Sequence, residues 1–178
     1  MANGTGPGTS ARTGTEDEAS MKPEKTVAEP VDFNALTIAE FRANHGQVGG
    51  NFAGAPMLLL HTVGARSGAA RINPMMYLPD QGRYLVIASK GGSDRNPDWY
   101  YNLLAHPEVR IEVGDEILTV HAVELLGAER DAHFAEQARR YPGFAAYQRG
   151  TERIIPVIAL TPTGALTAPA DSTEGNPA

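Results

Sequence analysis

Three cations sit beside glycines at the ends of apolar runs, and together they could hold an anion. Arg66 lies in Gly64-Ala65-Arg66-Ser67-Gly68, Arg71 follows shortly after, and Lys90 stands in Ser89-Lys90-Gly91-Gly92. Arginine offers phosphate or carboxylate a planar fork and lysine a point charge, while glycine lets the backbone come close. Residues 61–95 hold Arg66, Arg71, Arg83, Lys90 and Arg95 against Asp80 and Asp94, a local +3 in a chain of net charge −6. A cationic patch in an acidic protein suits an anion of limited size. It does not suit nucleic acid, which needs a basic face that a pI near 5.3 does not provide.

Asn73-Pro74 is a second signal, because proline cannot donate to a ladder and so marks an edge strand or a bulge. A side-chain amide beside such a break could meet the polar edge of a planar ring. The aromatics Trp99, Tyr100, Tyr101, Tyr141, Phe144 and Tyr147 could wall a cleft for a flat ligand, and the tyrosines carry hydroxyls able to donate a proton. Each feature also has a plain structural reading as a polar turn, an edge strand or a helical core. The five histidines show no metal-ligand spacing and there is no cysteine, so no metal site is expected. Nucleophile elbow, Walker loop and GxGxxG patterns are absent, which leaves covalent catalysis and phosphoryl transfer unsupported.

These residues need a frame. Apolar runs bounded by turn residues predict strands over 57–63, 70–78 and 83–89, a meander that would place Lys90 at the end of the strand beside Asn73. Asn96 as cap, Pro97 and Asp98 open a helix through Leu104. A hairpin follows over 109–113 and 117–126, then helices over 128–140 and 143–147, and a closing strand over 154–160. A stripe of Phe33, Leu36, Ile38, Ala39 and Phe41 predicts one more helix, packed over the sheet. A membrane-surface role for it wants a basic polar face, and Arg42 against Asp32 and Glu40 is weak support. Strands in hairpins rather than βαβ units predict a mainly β fold, a small antiparallel barrel or strongly curved sheet with flanking helices.

At 178 residues the chain suits one domain with tails. Residues 1–30 and 163–178 are rich in Gly, Thr, Pro, Ala and acidic residues and are expected to be disordered arms, with the folded domain over 31–162. No apolar run reaches the roughly 18–20 residues of a spanning helix, and the N-terminus has no signal-peptide core, so a soluble, cytoplasmic protein is expected.

The run from Leu58 to Val109, with G-x-(R/K)-S-G, R-x-N-P, A-S-K-G-G and N-P-x-W-Y-x-N in order, resembles the deazaflavin-dependent nitroreductases of actinobacteria. The likeness continues through Tyr141–Leu160. It implies a split β-barrel that binds coenzyme F-420, an 8-hydroxy-5-deazaflavin with a phospholactyl-polyglutamate tail. By that resemblance Arg66, Ser67, Arg71, Lys90 and Gly91 would hold the phosphate and carboxylates. Asn73, Pro74, Met75, Met76, Ala88 and Ser89 would line the ring, bordered by Trp99 and Asn102. Tyr141, Phe144 and Tyr147 would cover the acceptor side as catalytic residues. Nitroimidazole-reducing members carry tyrosine where this chain has Phe144, so proton donation would fall to Tyr141, Tyr147 or water.

The activity implied is hydride transfer from the reduced coenzyme to a small acceptor: a quinone, nitro compound, enone or lactone. An FMN- or haem-type split barrel and a non-catalytic coenzyme-binding protein remain alternatives. Peripheral contact with the inner membrane face through the first helix, and the oligomeric state, are left open.

Overall fold

The computed structural model describes residues 32–165. The arm expected over 1–30 lies outside the described residues, as does the tail from 166 onward. Seven strands form one antiparallel sheet: β1 (Met57–Val63), β2 (Ala70–Met76), β3 (Leu78–Asp80), β4 (Arg83–Ile87), β5 (Glu108–Val113), β6 (Glu116–Leu125) and β7 (Val157–Ala165). Their order is β2-β1-β5-β6-β7-β4-β3. Consecutive strands β2 and β3 are thus opposite edges of the sheet, joined through Tyr77 alone. The sheet must curl until its edges meet there, giving a barrel closed at Tyr77 and split beyond it.

This order corrects the expected meander. The stretch read as one strand over 70–78 breaks at Tyr77, whose N–H bonds the Pro56 carbonyl at 3.1 Å. Its first part pairs with β1, its second with β4, and β4 pairs with β7 rather than with β2. The edge position inferred for Pro74 matches the structure: β2 has a hydrogen-bonded neighbour on one side only.

β1, β4 and the first half of β7 carry continuous apolar runs because both faces of the sheet are covered there, whereas β5 alternates apolar with charged residues. Leu58 and Leu60 of β1 point to the barrel interior with Val86, Ile111, Val120, Ile158 and Leu160. Met57 and Leu59 point outward to Phe41 of α1 (Phe33–Ala43). Leu85, Val157 and Ala159 likewise point outward to Phe134 of α3 (Gly127–Arg140). Helix α2 (Asp98–Ala105) plugs one end of the barrel with Tyr100 and Leu103. The Tyr100 hydroxyl donates to Glu124 at 2.9 Å. Burial and that carboxylate push the phenol up to about 12. Helix α4 (Gly143–Arg149) follows α3 closely.

Two boundaries differ from expectation. Asn96 does not cap α2; Pro97 occupies the cap position, and the Asn96 side chain accepts from Arg153 at 2.6 Å. The closing strand starts at Val157 because the backbone of Ile155 bonds side chains, its N–H to Gln148 and its carbonyl to Arg130. It runs on to Ala165 opposite Leu118, so Thr163, Gly164 and Ala165 belong to the sheet and not to a disordered tail.

Helix α1 begins with Asp32 accepting from the Asn34 and Ala35 N–H groups. Near its other end Arg42 grips Glu112 of β5 through two hydrogen bonds, 2.6 and 3.0 Å, and Glu112 also meets His61 at 2.7 Å. The outer face of α1 exposes Phe33 and Leu36. Its one cation is spent on Glu112, so nothing on that face favours anionic lipid. No described helix is long and apolar enough to cross a membrane.

The Arg42 guanidinium, with His61, holds the Glu112 carboxyl below its ordinary value of 4.5. A depressed native pKa contributes stability that is fully present above 4.5 and is lost as pH falls through the native value. Glu112→Gln should therefore lower the unfolding free energy in urea by about 1–3 kcal/mol at neutral pH. The gap between variant and parent should narrow below about pH 4. A gap that stays constant with pH would show that the charge plays no part.

Candidate functional site

Beyond Tyr77 the sheet edges diverge, and a cleft of about 290 Å³ opens between them. Pro74, Met75 and Met76 of β2 line one side, with Phe52 from the preceding turn. Ile87, at the end of β4, and Ser89, Lys90 and Gly91 line the other. Pro97 and Trp99 come from the start of α2, Phe144 and Tyr147 from α4. The volume is near the lower end of small-molecule sites, about 300–1,000 Å³, which suits a flat ring with a tail outside. Phe144 and Tyr147 stack edge to face, centroids 5.6 Å apart.

The Lys90–Gly92 turn is unusual in its backbone. Lys90, Gly91 and Gly92 have φ of 44°, 61° and 83°, three successive residues in left-handed conformation. Right-handed Ser89 followed by left-handed Lys90 is the alternation that turns successive amides toward an anion, while the Gly92 and Ser93 N–H groups are taken by the Ser89 and Lys90 carbonyls. A Cβ on Gly91 would meet nothing within 4 Å, so a ligand can reach the backbone there. A Cβ on Gly92 would lie 2.8 Å from the Tyr147 carbonyl oxygen. Helix α4 rests directly on this glycine. Arg153 ties the rest of the loop: Nε donates to the Ser93 carbonyl at 2.6 Å, and Nη2 to the Ala88 and Ser89 carbonyls at 3.1 and 2.8 Å. Burial holds this guanidinium below its ordinary value.

On the other flank, the β1–β2 turn carries Arg66 and Ser67. The Ser67 hydroxyl accepts from Ala69 N–H at 3.2 Å and closes the turn. Asn102 of α2 braces it from below, its Oδ1 accepting from Ala65 N–H at 2.9 Å and its Nδ2 donating to the Thr62 hydroxyl at 3.2 Å.

The cleft therefore gathers Pro74, Met75, Met76, Ser89, Lys90, Gly91, Trp99, Phe144 and Tyr147 from the expected set. The others stand elsewhere. Asn102 is buried behind the turn with both amide ends occupied, and borders no groove. Ala88 is fully buried in the barrel interior, because inward and outward residues alternate along β4. Tyr141 ends α3 and does not line the cleft. Arg66 and Arg71 are exposed on the β1–β2 side, Arg71 at the end of β2 away from Met76, and neither lines the cleft with Lys90. Asn73 shares a face of β2 with Arg71 and Met75, between the exposed arginine and the cleft wall. None of Arg66, Arg71 and Lys90 pairs with a carboxylate among the described residues.

Phe52, Ile87, Pro97 and Arg153 are not among the expected site residues; Pro97 reads in the sequence as the start of a helix and part of the N-P-x-W-Y-x-N motif. A second depression, about 460 Å³, lies between Asp94 and Arg149–Arg153 and contains none of the expected residues. Among the described residues no group of side chains could hold a metal ion.

The two glycines make a paired test of the loop. Gly91→Ala faces only left-handed strain, about 1–2 kcal/mol. Gly92→Ala adds a collision with the Tyr147 backbone and should be clearly the more destabilising in urea melts. Equal losses would mean that α4 does not rest on the loop.

Residues 35–162 match a family described as F420H(2)-dependent quinone reductase. An F420H(2)-dependent quinone reductase of Mycobacterium tuberculosis (strain ATCC 25618 / H37Rv) is 40% identical over 138 residues, 74% of this chain and 91% of that protein. Among solved structures, an F420-H2 dependent reductase is 40% identical with a TM-score of 0.55, covering 59% of this chain and 93% of its own. A chain described as a domain-swapped dimer is 37% identical with a TM-score of 0.56, covering 71% and 92%. The match spans strands β1 to β6 and most of β7, with all the residues that line the cleft, and the chain belongs to the family of F420H(2)-dependent quinone reductases.

Proposed function

We propose that this chain transfers a hydride from reduced coenzyme F-420 to a quinone. The observation that carries the reading is the cleft itself, where apolar walls adjoin a cationic turn with accessible backbone. When bound, the reduced deazaflavin supplies two electrons as a hydride. Pro74, Met75, Met76 and Trp99 offer a planar ring apolar contact, the thioethers adapting to its shape. Lys90, beside the open backbone of Gly91, suits a phosphate at the cleft mouth. Arg66 and Arg71, on the β1–β2 side, suit the carboxylates of an extended tail.

Phe144 and Tyr147 cover the acceptor side and exclude water. Phe144 has no hydroxyl, and Tyr141 does not line the cleft, so Tyr147 or water would deliver the proton to the quinone oxygen. The protein's contribution is placement of donor against acceptor in a dry cleft. Nitro compounds, enones and lactones belong in the same screen as competing acceptors. FMN would present one phosphate to cations spread over two separate elements, which favours the longer polyanion.

The test is a fluorescence titration with coenzyme F-420 beside FMN, followed by oxidation of the reduced coenzyme with a naphthoquinone. Tight deazaflavin binding, weaker FMN binding and quinone-dependent turnover are expected. Lys90→Ala should weaken coenzyme binding by about 1–3 kcal/mol. Unchanged affinity would remove Lys90 from the site, and binding of FMN alone would overturn the cofactor. Binding of the reduced coenzyme without oxidation by any acceptor would favour a carrier protein.

A further inference from the structure

We propose that Arg153 is a positioning residue for the coenzyme site, holding the Ser89–Asn96 loop in its binding shape. The proposal rests on the coenzyme reading above. A guanidinium has five N–H donors. Arg153 spends four of them on the Ser93 carbonyl, the Asn96 side chain, and the Ala88 and Ser89 carbonyls. No fork is left for an anion, so this arginine acts on the ligand through the loop.

The loop needs such a tie. It leaves the sheet at Ile87 and passes through three left-handed residues, one of them the non-glycine Lys90. Its internal bonds are local, Gly92 N–H to the Ser89 carbonyl and Ser93 N–H to the Lys90 carbonyl. The anchor of the clamp is itself fixed. Gln148 of α4 donates to the Arg153 carbonyl at 2.7 Å, and its oxygen accepts from Ile155 N–H and from Arg130. The Thr151 hydroxyl adds a bond to Asp94 at 2.9 Å. One rigid connection from α4 to β7 thus joins the acceptor side, with Phe144 and Tyr147, to the coenzyme side, with Lys90.

Arg153→Lys keeps the charge but cannot span four acceptors, whereas Arg153→Met removes both charge and donors. Amide hydrogen exchange in the unliganded protein and coenzyme F-420 titration are the readouts. Both variants should speed exchange over residues 89–96 by about tenfold or more, with β1, β5 and β6 unchanged. Both should weaken the coenzyme by about 10–100-fold, as expected for losing one or two charged hydrogen bonds. Wild-type behaviour of Arg153→Lys would overturn the proposal, since charge alone would then suffice. Faster exchange across the whole barrel with affinity unchanged would also overturn it, as that is a merely structural role. If the parent protein binds no coenzyme F-420, the coenzyme reading fails, and local exchange still decides whether the clamp exists. If Arg153→Met does not fold, Asn96→Ala, which removes one acceptor, should show the same local change at smaller size.

Discussion

Between Met76 and Leu78 the chain takes two peptide steps and moves from one edge of the sheet to the other. Two steps reach at most about 7 Å, so the edges must approach that closely at Tyr77. The remaining five strands have to curl to allow it. Twisted strands diverge away from a point of contact, and the gap that results is the cleft. β2 supplies one wall and the end of β4 the other because those are the segments nearest the crossing. Tyr77 is held at this point by its backbone bond to Pro56 and by edge-to-face contact with Tyr84 at 5.1 Å.

Several of the described cations are committed to carboxylates. Arg42 is committed to Glu112, Arg83 to Asp80 and Glu129, and Arg139 and Arg140 to Glu136. These pairs fasten helices to strands or brace a helix surface. Among the described residues, Lys90 in the cleft and Arg66 and Arg71 on the β1–β2 side have no such partners, nor have Arg95, Arg110 and Arg149, and Arg153 bonds carbonyls and an amide in place of a carboxylate. A polyanionic ligand would supply the counter-charge the protein does not provide.

Sequence periodicity recovered most strands and helices, because two-sided burial leaves long apolar runs with clear turn residues between them. It misplaced the sheet neighbours, because nothing local marks Tyr77 as a crossing between edges. The cleft residues nearest a motif, Met75, Met76, Ser89 and Lys90, were legible through their chemistry and the family likeness. Asn102 has an amide of the right type to touch a ligand, but burial and two protein partners make it a brace for the β1–β2 turn. Arg153 was not legible at all. Its role depends on carbonyls about 60 residues away in the chain, and backbone acceptors leave no trace in side-chain spacing.

The split leaves β2 as an open edge, with a row of backbone groups that another extended chain could pair with. Pro74 sits in the middle of that row and has no N–H to offer, and Ala70 and Arg71 leave its far end exposed and charged. Such features discourage strand addition by a second molecule. The residue that helps wall the cleft thus also disfavours edge-to-edge pairing along the split side of the barrel.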